Sequence, residues 1–312
     1  MFSEIIDEEL GEKAIAEILY NSEIGLCLLS DGKLYSFIPE DSKFDKDFEL
    51  TYIADNVKTL NKKEDYYLFY LTKDNKLYSG NNELIIENVK EYGDSYLITT
   101  ANELYKYNHF NKKYDYMANN VRKGSYDYYI NANNELYIYN YHNEKFEYIA
   151  GNVKDGDENY YITTSKELYN YNYGNKKYEY MADNVKEGDG YYYITTTNDL
   201  YEYNIYNNKY EYTASNVKEY YDYIGHLFYI TTLNDLYEYN SDNEKYEYIA
   251  GNVRKHSYQK YYTNTIDDLY VYISNKYENV GNIKKEIIDY GSDFYITTNN
   301  TMRAYIKIHL LL

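Results

Sequence analysis

The chain has 312 residues, a formal net charge of −19, 52 tyrosines, one proline, one cysteine and no tryptophan. A lone Cys27 excludes a disulfide-stapled scaffold, and one cysteine with five scattered histidines leaves no Cys/His zinc framework. With 32 Lys and Arg against 51 Asp and Glu, the chain lacks the basic face that grips nucleic acid through its phosphates.

Residues 1–13, MFSEIIDEELGEK, carry acids where a signal peptide needs a positive start, and read as an extension. Residues 14–312 read as one repeat domain. Its last stretch, AYIKIHLLL, is apolar but far shorter than the roughly 20 residues that span a bilayer. The expectation is a cytoplasmic protein that makes no use of a membrane.

Periodicity dominates what lies between. Asn-Val recurs at Asn56, Asn88, Asn120, Asn152, Asn184 and Asn216, each time after 32 residues, and then at Asn252 after 36. Leu-Tyr recurs at Leu34, Leu77, Leu104, Leu136, Leu168, Leu200, Leu236 and Leu269, and Met302 takes the same place near the end. The unit from 184 divides into NVK, YYYITT, LYEYN and KYEYTA, separated by Asn, Asp and Gly turn signals. LYEY and KYEY alternate with period two, as half-buried strands do, and no unit holds a helical apolar stripe. Alternate tyrosines then share a face and bury by stacking between neighbouring sheets.

Four strands in about 32 residues form a sheet too small to stand alone, so neighbours must stack. A closed β-propeller and an open β-solenoid both meet that need, and four strands per unit favours the propeller. The expected fold class is all-β, a propeller of about 7–9 four-stranded antiparallel blades. Segment 302–312 is a candidate strand for closing the ring with the N-terminal unit.

The units resemble repeats of the regulator-of-chromosome-condensation family of β-propellers. LLSDGKLYSF at 28–37, YLTKDNKLYSG at 70–80 and IIDYGSDFYITTNN at 287–300 carry the likeness. Gly291 stands at the family's glycine, with Gly93, Gly124, Gly156 and Gly188 near the same place in other units. Units here are shorter than the family's, Trp-Gly is absent, and tyrosine replaces much of the pattern. The resemblance implies the propeller fold. No segment matches the family's nucleotide-exchange chemistry.

Phosphate loops of standard spacing and a Gly-x-Ser-x-Gly elbow are missing. His109, His142, His226, His256 and His309 fall at different phases of the repeat. Cys27 sits in an apolar alternating run and reads as a buried, inert thiol. No catalytic residue, metal site or cofactor is expected. The acidic loops are another matter. KDGDENYY brings Asp155, Asp157 and Glu158; the loops in register with it bring Glu91 and Asp94, Glu187 and Asp189, and Glu219 and Asp222. They predict an acidic rim on one face. The unit KEYYDYIGHLFYITT at 218–232 holds four extra residues, and insertions in repeats map to loops. Tyr220, Tyr221, Asp222, Tyr223 and His226 are expected to project there as a contact loop.

These features favour a non-enzymatic protein that docks a partner with a basic surface, without itself touching nucleic acid. Nucleic-acid enzymes are common bearers of such surfaces. A concrete form is an inhibitor, carried by a phage or mobile element, of an enzyme such as an RNA-guided CRISPR nuclease. The alternative is an intracellular carbohydrate-binding propeller, with Tyr, Asn and Asp at blade edges stacking on and bonding to sugars. An enzyme site on the ring axis is the least favoured reading, because near-identical units do not supply distinct catalytic roles.

Overall fold

A computed structural model of the chain describes residues 15–20, 25–37, 51–63, 67–93, 95–108, 113–223, 226–257, 261–264, 266, 268–273, 276–287, 293–297 and 302–305. Every regular element among them is a β-strand. The four runs expected from 184 are strands Val185–Gly188, Tyr192–Thr195, Leu200–Asn204 and Lys209–Ala214. They form one sheet in chain order, each strand antiparallel to the next. The same meander recurs at 15–54, 57–86, 89–118, 121–150, 153–182 and 217–250. The fold class is therefore the expected one: all-β, built from repeated four-stranded antiparallel blades of the propeller type. The chain divides into two compact units, residues 1–117 with 281–312 and residues 118–280.

The Asn-Val anchor has a backbone cause. Asn56, Asn88, Asn120, Asn152, Asn184, Asn216 and Asn252 all hold φ between 57° and 63°, the left-handed region that asparagine tolerates and β-branched residues avoid. In the 118–280 unit this conformation turns the carbonyls of Asn120, Asn152, Asn184 and Asn216 toward their own blades. Asn152 accepts the Thr164 N–H at 2.7 Å, and Asn184 accepts that of Thr196 at 2.8 Å. The next residue, valine, reaches the preceding blade: Val185 N–H donates to the Lys166 carbonyl at 2.9 Å, and Val217 N–H to that of Asn198 at 2.8 Å. Asn and Val thus stitch adjacent blades together.

Tyrosine is explained by the two faces of each blade. Period-two alternation puts Tyr161, Tyr169, Tyr171, Tyr178 and Tyr180 on one face, where second- and third-strand rings stack at 4.8 Å and fourth-strand rings meet them tilted or edge-on. The opposite face carries Ile162, Leu168 and Met181, and these pack against Tyr193, Tyr201 and Tyr210 of the following blade. An aliphatic face against a phenol face is repeated at Ile130 and Leu136 with Tyr161, Tyr169 and Tyr178, and at Ile194 and Leu200 with Tyr229, Tyr237 and Tyr246. Stacked pairs of this kind contribute about 0.5–1.5 kcal/mol beyond their burial.

The described blades of residues 15–117 have the same four-stranded plan with fewer stacked ring pairs among the described residues. Tyr70 stacks on Tyr78 at 5.1 Å, but Cys27 faces Tyr35 and Leu97 faces Tyr105 where that ring pair would lie. Cys27 is buried, and burial pushes its thiol up to about 12, which fits the inert role expected of it. Two sequence expectations are only partly within the described residues. Met302–Tyr305 pairs with Asp293–Thr297; residues 306–312, the rest of the segment expected to close the ring, lie outside the described residues. Residues 1–13 lie outside them as well.

Candidate functional site

In an antiparallel meander, the turns from first to second strand and from third to fourth leave the sheet at the same end. In the blades of 121–250 this end carries the acidic turns and also the Asn-rich hairpin turns. Gly156 and Gly188 begin the acidic turns. A Cβ on either would lie 2.6 Å from the carbonyl oxygen of Tyr160 or Tyr192, so in these two short hairpins the first strand closes on the second only without a side chain.

The predicted acids have distinct situations. Asp157 accepts the N–H groups of Asn159 at 2.7 Å and Tyr160 at 3.2 Å, and Asp189 accepts those of Tyr191 at 3.0 Å and Tyr192 at 3.3 Å. Both are half-buried turn builders. Burial pushes the Asp157 carboxyl up to about 6 and raises that of Asp189 as well. Asp155 pairs with Lys123 at 2.5 Å, and Glu219 with Lys218 at 2.8 Å. Glu187 lies 3.9 Å from Lys186, and Glu158 accepts a long bond of 3.4 Å from the Asn159 amide. Asp222 is exposed. Asp94 and His109 lie outside the described residues, as do the side chains of Tyr223, His226 and His256. Among the described residues no three His, Cys, Asp or Glu side chains converge on a metal site.

The expected contact loop at 218–232 is not a loop. The four extra residues lengthen the hairpin itself, so that Val217–Tyr223 and His226–Thr231 pair continuously from Thr231 down to His226. Tyr220 therefore does not project. It stands where other blades have Gly156 and Gly188, is buried, and its hydroxyl donates to Glu202 at 2.7 Å. Tyr221 lies over Phe228 at 4.9 Å and donates to Glu219, leaving 37% of its surface exposed.

The longer hairpin explains Glu202. In shorter blades a fourth-strand tyrosine donates to a turn carbonyl 20 residues earlier: Tyr178 to Glu158 and Tyr210 to Gly190, each at 2.7 Å. Twenty residues before Tyr246 is His226, inside a strand. Tyr246 turns instead to Glu202 of the preceding blade, at 2.6 Å, and Thr213 completes the set at 2.7 Å.

At the preceding junction the residue in register with Glu202 is Asn170. Its amide nitrogen donates to Gly190 at 2.9 Å and to the Tyr210 hydroxyl at 2.7 Å, while its Oδ1 is shielded from solvent and has no hydrogen-bond partner. Gly190, at φ 93°, stands where the earlier blade has Glu158, and supplies no side chain. A cavity of about 480 Å³ opens there between Asn159, Asn170, Tyr173, Glu179, Asp189 and Tyr191, among others. Around it the turns expose Tyr206 (93%), Tyr173 (72%) and Tyr191 (67%).

Sequence reasoning missed Asn170, Glu202, Gly190 and Tyr191. The signal was present in LYxYN, whose third position alone fails to repeat: Lys106, Ile138, Asn170, Glu202, Glu238. A variable residue inside an otherwise constant, half-buried strand marks where one junction differs from the next.

The sequence matches no protein-family model and no curated protein. Among solved structures it is similar to the computationally designed Ika8 protein, at TM-score 0.49 and 8% identity, covering 94% of this chain and 96% of that one. It is also similar to BamB from Moraxella catarrhalis, at TM-score 0.45 and 8% identity, covering 94% of each chain. The C-terminal WD40 domain of Sif2 gives TM-score 0.43 and 12% identity over 86% of this chain and 95% of that domain. Identities this low carry no function across.

Proposed function

We propose that the protein is a non-catalytic binding module that docks a protein with a basic surface along the turn-bearing edge of residues 121–250. The observation that supports this reading most is the composition of that edge. Exposed phenol rings, Tyr141, Tyr173, Tyr191 and Tyr206, stand among the acidic turns of Asp155, Asp157, Glu158, Glu187, Asp189 and Asp222. Aromatic anchors provide contact area at small entropic cost, and a surrounding negative field steers a basic partner and fixes its register. The edge repeats at about the same spacing, so it offers a long partner several equivalent footholds.

The finer form of the proposal is inhibition. An edge of carboxylates and phenols competes for a channel that a nucleic-acid enzyme lines with Lys and Arg, and an RNA-guided nuclease is one enzyme with such a channel. The likeness to regulator-of-chromosome-condensation repeats enters this proposal only as a likeness of scaffold.

The test is capture from nuclease-treated lysate by wild type and by a Glu187→Lys, Asp222→Lys double variant, eluted with a salt gradient. A basic protein held by wild type, released at raised salt and lost from the variant is the expected result. Identical retention by both proteins would remove the docking reading.

A further inference from the structure

The cavity beside Asn170 has the composition of a receptor for a donor-rich cation. We propose that it accepts a guanidinium group, that of an arginine side chain on the docking partner. The inference rests on the docking reading above and adds to it a point of entry.

Size is the first observation. A volume of about 480 Å³ admits one long side chain and not a folded segment. Charge is the second. The lining residues include Asp189 and Glu179, the latter already accepting the Asn172 and Asn175 amides, and no lysine or arginine. Along the same edge Asp155 has Lys123 and Glu219 has Lys218, whereas Asp189 forms no ion pair with a lysine or arginine among the described residues. Its carboxyl is half-buried, and burial without a cation opposes its charge. A third observation is Asn170, a residue of the lining whose Oδ1 is a shielded acceptor with no donor. Leaving such an atom unpaired costs about 1–3 kcal/mol, which favours any arrangement that brings an N–H to it. The fourth is the rim, where the Tyr173 and Tyr191 rings are largely exposed.

A guanidinium meets all four. It is planar, carries five donors in a fixed fork, stacks on phenol faces and sheds water more readily than an ammonium. A neutral sugar would leave Asp189 without a counter-charge. The register of the repeat shows why the cavity belongs to this junction. In the next one Glu202 stands in place of Asn170 and accepts from Tyr220, Tyr246 and Thr213. In the preceding one the position is Ile138 and the turn carries Glu158 in place of Gly190.

The test is calorimetric titration of the full chain with ethylguanidinium, n-propylammonium and methyl glucoside in turn. Saturable binding of ethylguanidinium, at least threefold tighter than n-propylammonium, is expected. Asp189→Asn offers the same acceptor to both turn N–H groups and Tyr191→Ala removes an exposed ring, so both variants are expected to fold. Each should weaken ethylguanidinium at least fivefold. No saturable binding, equal binding by Asp189→Asn, or a preference for methyl glucoside would each overturn the proposal. The two readings fail separately. If Asp189→Asn and Tyr191→Ala retain a basic protein that Glu187→Lys with Asp222→Lys loses, the edge docks and the cavity is not its entry point. If ethylguanidinium binds as expected but no basic protein is retained, the cavity stands and the docking reading falls.

Discussion

Two neighbouring junctions, at Glu202 and at Asn170, are built from almost the same sequence and end in opposite states. Around Glu202 one carboxylate takes three hydroxyl donors. Around Asn170 an amide satisfies two partners, leaves its own oxygen unpaired and borders an open cavity. The difference stems from two local changes: a hairpin lengthened by four residues, and a glycine at position 190. Repetition builds the scaffold, and the departures from repetition decide which junctions satisfy their polar groups and which leave an acceptor unpaired beside a cavity.

The comparison is broken most severely by removing what the junctions share. Leu168 and Leu200 are each fully buried on the aliphatic faces. Leu168→Ala and Leu200→Ala should each cost about 2–5 kcal/mol in urea denaturation, and by similar amounts. A loss at one site more than twice that at the other would mean that the two hydrophobic rows are not equivalent. A smaller but more discriminating effect comes from the polar residues. Glu202→Ala strands the Tyr220, Tyr246 and Thr213 hydroxyls and should cost about 2–3 kcal/mol. Asn170→Ala leaves the bond from Tyr210 to Gly190 in place and should cost under about 1 kcal/mol. Equal losses would contradict the distinction between three satisfied donors at Glu202 and an unpaired acceptor at Asn170.

How far the sequence alone leads depends on whether a feature repeats. The Asn-Val and Leu-Tyr anchors led directly to the strands, the blade meander and the stacking of tyrosines, because each unit must solve the same burial problem. Register also placed Asp157 and Asp189 in equivalent turns. What one unit could not reveal was the consequence of an insertion. A four-residue excess reads as a loop, yet with Tyr, Phe and Ile on both sides of it, continued pairing is the better solution. That continuation buried Tyr220, displaced the turn carbonyl from Tyr246 and made Glu202 its acceptor. The cavity was out of reach for a similar reason, since it follows from a missing side chain at Gly190 and an amide 20 residues before it.

The smallest expected effect tests whether the turn carboxylates are held ready for a cation. An ordinary aspartate titrates near 3.9, and burial holds that of Asp157 at about 6. The folded state therefore binds this proton more tightly than the unfolded chain does. Its stabilising contribution is complete below about pH 4, is lost as pH rises through 6, and is absent at pH 7. Asp157→Asn keeps the acceptor for the Asn159 and Tyr160 N–H groups and abolishes the titration. With solvent screening of a half-buried group, the variant should exceed wild type by about 1 kcal/mol at pH 7. The two should converge at pH 4. A difference independent of pH would show that burial does not oppose the charge of this turn. If burial does oppose it, a cation brought by a partner lowers the carboxyl's pKa and displaces its proton, so docking on this edge should strengthen between pH 5 and 7.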